Sequence, residues 1–143
     1  MKIASPIVVL ITLAACRRDP TTEQEKLERA CAEKMTGATL AGRFGSRNSD
    51  KLHEDRYAIS KVSKLAGNVW SFQARIQYGG YDVNVPVPVE ILWAGDTPVV
   101  TMTNAGVPGM GKFTVRLLFY GDEYAGTWSN DHGGGGTMFV RIE

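Results

Sequence analysis

From about residue 40 onward, apolar and polar side chains alternate along the chain with a period of two. Residues 82–93 show this most cleanly. Val83, Val85, Val87, Val89, Ile91 and Trp93 fall on one side, and Asp82, Asn84, Pro86, Pro88 and Glu90 on the other. Successive side chains of a strand point to opposite faces, so the pattern predicts a strand with one dry and one wet face. Residues 69–78 repeat it, with Trp70, Phe72, Ala74, Ile76 and Tyr78 inward and Ser71, Gln73, Arg75 and Gln77 outward. Phe113, Val115, Leu117 and Phe119 define a third strand, and Met138, Val140 and Ile142 a fourth. Weaker alternation marks residues 40–45, 57–64, 99–104 and 124–129, and turn-forming Asp, Asn, Gly and Pro residues punctuate the series.

The expected fold class is therefore mostly β. About eight antiparallel strands joined by hairpin-length links must cover their dry face by closing into an up-and-down barrel or by folding into a β-sandwich. The short links favour the barrel, whose interior at this strand number is either filled by side chains or able to hold one small ligand. Pro86 and Pro88 add a constraint. Amides two residues apart face the same neighbouring strand, and proline has none to donate, so this strand is expected at an edge, a bulge or a gap in the barrel.

Before the strands, the period is helical. Thr22 and Glu25 have the spacing of a capping box, residues 23–36 hold good helix formers, and Gly37 is placed to end them. Leu27, Ala30, Cys31 and Met35 share one face, which puts the Cys31 thiol on the buried side as a small hydrophobe.

The first residues carry an address. After Lys2, residues 3–15 are mostly apolar, too short a run to span a bilayer but of signal-peptide proportions. The run ends Leu13-Ala14-Ala15-Cys16, which resembles the lipobox of bacterial lipoproteins at all four positions. The resemblance implies a leader over residues 1–15 and, on Cys16, a diacylglyceryl group and an acylated amine. With the periodicities above, the expected organisation is a lipidated tether over 16–22, an amphipathic helix over 23–36 and a β-barrel domain over 37–143. Two or more acyl chains give stable anchoring. Arg17 after the cysteine is not the aspartate that the family links to inner-membrane retention. The implied location is the outer membrane facing the periplasm, wherever the bacterium has two membranes.

Sixteen basic and fifteen acidic residues nearly cancel, and loss of Lys2 with the leader balances them. Balance argues against nucleic acid as a partner, since that requires a basic patch or stripe. A domain of this size buries enough surface to fold without a metal or a disulfide, and a monomer is expected.

Chemistry-bearing residues are few. Asp131 and His132 are adjacent, and neighbours in sequence seldom meet as base and orienter, so no catalytic residue is expected. The same pair beside four glycines reads as a hairpin connection, not a metal site. His53 lies in the charged run 50–56, expected as a solvated loop. Gly109-Met110-Gly111-Lys112 lacks the spacing, the following hydroxyl and the helix of a phosphate loop. No enzyme activity, cofactor or metal is expected.

The distinctive inventory is aromatic. Trp70, Phe72, Tyr78, Trp93, Phe119 and Trp128 are the candidate ligand-binding residues, because pockets are lined by such side chains. Gly126-Thr127-Trp128, with Gly42-Arg43-Phe44 as a looser copy, resembles the glycine-any-tryptophan signature of calycin barrels, the lipocalin and avidin-like group. That resemblance implies an up-and-down barrel with an inner pocket. The expected function is a tethered binding module for a small apolar ligand or an envelope protein. The alternative is an inhibitor of a lysozyme or peptidase acting through the 106–112 or 130–136 connection. A cavity of several hundred cubic ångströms would favour binding.

Overall fold

A computed structural model describes residues 21–143; the leader, Cys16 and most of the tether lie outside the described residues. Helix α1 (Glu23–Met35) precedes eight strands: β1 (Thr39–Ser46), β2 (Ser49–Ala66), β3 (Val69–Tyr78), β4 (Tyr81–Ala94), β5 (Thr97–Val107), β6 (Gly111–Tyr120), β7 (Glu123–Asn130) and β8 (Gly135–Ile142). Each strand pairs antiparallel with the next, and β8 pairs with β1, so the sheet closes into an up-and-down barrel. The sandwich alternative is excluded.

The alternation decides what faces in. Trp70, Phe72, Ala74, Ile76, Val85, Val89, Ile91, Leu117, Phe119 and Met138 are buried as expected. Closure leaves the unpaired strand edges of an open sheet no role here, with one local exception.

That exception lies at the prolines. The Ile91 amide donates to the carbonyl of Asn68 on the β3 side at 2.9 Å. By alternation, positions 84, 86 and 88 therefore face β5. The β4–β5 ladder spans only Glu90↔Thr101 to Ala94↔Thr97, so a seam separates the two strands along Pro86 and Pro88. Across it, β5 shifts register between Met102 and Ala105, and Asn104 adopts a left-handed φ of 50°. Side chains of β6 satisfy the irregular backbone. Arg116 donates to the Met102 carbonyl at 2.5 Å and to Thr103 Oγ1 at 2.8 Å, and the Asn104 amide donates to Thr114 Oγ1 at 3.0 Å.

The helix begins with the expected box. The Glu25 amide donates to Thr22 Oγ1 at 3.1 Å, and the Thr22 amide donates to the Glu25 carboxylate at 2.7 Å. Gly37, at φ +84°, supplies the left-handed residue after the helix. Met35 is buried in the core, and Lys34 reaches Asp122 and the Gly121 carbonyl in the β6–β7 turn. Lys64 Nζ pairs with Glu28 at 2.5 Å and lies 5.7 Å from the ring centre of Trp70. The helix thus covers one barrel end.

Two expectations are corrected. The charged run 50–56 is not a loop but part of β2, an 18-residue strand whose first third is exposed. Exposure of that first third lets charged side chains occupy both faces of the strand, which hides the strand from a composition-based reading. The outer face is also less polar than the alternation implied. Leu92, Val99, Leu118, Ala125 and Phe139 sit opposite one another in a row across β4 to β8, with Leu92, Leu118 and Phe139 exposed.

Candidate functional site

The inward faces of all eight strands enclose an apolar cavity of about 130 Å³. Of the aromatic candidates, Phe72, Tyr78, Phe119 and Trp128 line it. Trp70 and Trp93 do not. Trp70 is buried under Lys64 beside α1, and Trp93 borders the groove between α1 and the barrel end. Both sit near the helix-covered end of their strands, where inward-facing side chains meet the helix instead of the cavity. Met102, Met110, Met138, Val87, Val107 and Leu117 complete much of the lining. The volume falls below the several hundred cubic ångströms expected for a drug-sized ligand site, roughly 300–1,000 Å³. It is close to the roughly 150 Å³ cavity that stays dry and takes up benzene.

At the end opposite the helix the aromatics interlock. Tyr78 meets Phe44, Phe113 and Trp128 edge-on, with centroids 5.6, 6.4 and 6.2 Å away, and stacks on Tyr81 at 5.6 Å. The Tyr78–Tyr81 link is a plain two-residue corner, with Gly79 and Gly80 both at positive φ as such a tight turn requires. The aromatic residues of the two glycine motifs touch: Phe44 and Trp128 pack at 5.6 Å, nearly perpendicular. His53, on β2, stacks on Phe44 at 5.3 Å.

Beside the cavity lies a polar group the sequence reading missed. Asp55 is buried, although its neighbours in the charged run are exposed. Its Oδ2 accepts from the Tyr57 hydroxyl at 3.3 Å. Tyr57 and Tyr124 both line the cavity. Desolvation by burial pushes the Asp55 carboxyl up to about 6, opposed by the Tyr57 hydrogen bond. Burial also raises Tyr57 and Tyr124 well above the usual phenol range, and the nearby Asp55 charge adds to both. Among the described residues, the buried side-chain polar atoms lacking a hydrogen-bond partner are Asp55 Oδ1, the Tyr124 hydroxyl and Trp128 Nε1. Native interiors satisfy nearly all such atoms. Here two of the three belong to cavity-lining residues.

Asp55 was legible in principle. Strand parity with Tyr57 and Ile59 puts it on the inner face, and only its charge argued otherwise.

The remaining candidates do not assemble. Asp131 and His132 approach to 3.5 Å in the exposed β7–β8 turn. Asn130 Oδ1 organises that turn by accepting from the amides of His132 and Gly134. Among the described residues no group of three or more His, Cys, Asp or Glu is placed to hold a metal ion. Residues 106–112 form the β5–β6 hairpin, with Met110 buried. Cys31 is half-buried against the core, and burial pushes its thiol up to about 11, opposed by Lys34, so it is a poor nucleophile at neutral pH. No described helix is long and apolar enough to cross a membrane.

Fold and site together define a class: a small, closed, helix-capped eight-stranded barrel with an apolar interior and unsatisfied polar atoms at its wall. No family model, curated protein or solved structure matches the chain.

Proposed function

We propose that this chain is an envelope lipoprotein whose barrel binds one small apolar ligand. The observation that carries the reading is the 130 Å³ cavity, lined by apolar side chains and bordered by Tyr124 and Trp128 with unpartnered polar atoms. An apolar void offers water few partners and gives up dispersion contacts, so an apolar guest gains both. The seam between β4 and β5, beside Val87 and Val107 of the lining, supplies a route in. The lipobox at residues 13–16 supports an anchor on Cys16 that holds the barrel at the outer membrane's periplasmic face, as a monomer without a cofactor.

Two experiments test the two halves. Native mass spectrometry of the purified full-length chain is expected to show one small molecule retained or taken up per chain. Repeated spectra of an empty protein in the presence of benzene-sized ligands would contradict binding. Labelled palmitate fed to expressing cells should enter the parent chain and not a Cys16→Ala variant; equal label in both removes the anchor.

The inhibitor reading finds less support. Its two connections are short turns of three and four residues, and Met110 folds inward from one of them.

A further inference from the structure

Asp55 pairs with Gly42, Gly42 with Val140, and Val140 with Tyr124, so the four positions make one row across β2, β1, β8 and β7. Gly42 leaves a gap in that row, and two polar atoms fill it. A Cβ on Gly42 would run into the Tyr124 hydroxyl and lie 2.8 Å from Asp55 Oδ1. Both atoms are buried and unpartnered, on residues only 4% and 2% exposed. The Tyr57 hydroxyl already occupies the other carboxylate oxygen. What remains is a donor-acceptor on Tyr124, which lines the cavity, and beside it an acceptor on Asp55, just behind the oily lining.

We propose that Asp55 and Tyr124 form a recognition pole that selects small apolar ligands carrying a hydroxyl group. A ligand hydroxyl donates its proton to Asp55 Oδ1 and accepts from the Tyr124 O–H, so one group satisfies both atoms. The apolar body of the ligand then lies among Met102, Leu117 and Phe119. A body of about six heavy atoms suits a cavity of this size. The inference rests on the reading of the barrel as a binding module and narrows its ligand class.

The test uses phenol and toluene, which share a shape and differ by the hydroxyl, titrated calorimetrically into the full-length chain. Phenol is expected to bind at least about tenfold more tightly than toluene, as hydrogen bonds to a charged group warrant. Tyr124→Phe and Asp55→Leu should each lower phenol affinity toward that of toluene, closing the gap between the two probes. Tyr124→Phe preserves shape and carries the comparison if Asp55→Leu fails to fold. Equal binding of the two probes to the parent chain, or a preference that survives Tyr124→Phe, overturns the pole and leaves the apolar cavity standing. Failure of both probes to bind overturns the binding module itself.

Discussion

At Asp55 a carboxyl sits inside a barrel with one of its oxygens unpartnered, which ties stability to pH. Burial holds its folded value near 6 against 3.8 when exposed. Between those values the folded chain keeps a proton that the unfolded chain gives up. Stability from this group is therefore full below about pH 4, falls as pH rises through 6, and levels off above. The difference amounts to at most about 3 kcal/mol. Urea denaturation of the parent and of Asp55→Asn from pH 4 to 7.5 should show the parent losing stability relative to the variant; parallel curves would place Asp55 in solvent. Gly42 is the companion position. Gly42→Ala forces a methyl against the Tyr124 hydroxyl and Asp55 and should destabilise by about 1–3 kcal/mol, the usual range for overpacking. An unchanged denaturation midpoint would contradict the row described above. Asp55 did not stand out in the sequence, because a charge resembles a loop residue when packing partners on other strands are unknown. Gly42 stood out only within the Gly42-Arg43-Phe44 motif, which carries no sign of Asp55 across the ladder.

The eight strands were legible to different degrees. Residues 82–93 alternate so regularly that β4 follows almost directly, and its prolines mark the side where pairing stops. The helix start was also legible, because a capping box is closed by residues three apart. By contrast β2 was read only from Tyr57, since exposure of its first third lets charged residues occupy both faces. The seam makes a prediction of its own. The Asn84 amide faces β5 where no ladder exists, whereas the amides of Val85 and Val87 face β3 within a continuous ladder. Hydrogen exchange followed by NMR should find Asn84 exchanging far faster than Val85 and Val87. Comparable protection at all three would mean that β5 closes over the prolines.

On the scale of the whole molecule, closure of the barrel followed from short links and one-sided strands, but the size of the interior did not. Strand tilt and stagger set the diameter, and neither is written in the alternation; the same inward residues fit a filled core or a hollow one. Tilt also decides that Trp93 ends beneath the helix while Phe119 reaches both the helix groove and the cavity. The outer row of Leu92, Val99, Leu118, Ala125 and Phe139 shows that closure, not outer polarity, governs these strands. The methionines report on the interior directly. Met102, Met110 and Met138 line the cavity, and Met35 lies in the helix groove outside it. Methyl NMR of the full-length chain titrated with toluene should shift the resonances of Met102, Met110 and Met138 together, with Met35 moving least. Static methyl signals at those three positions, or a response confined to Met35, would contradict a ligand cavity inside the barrel.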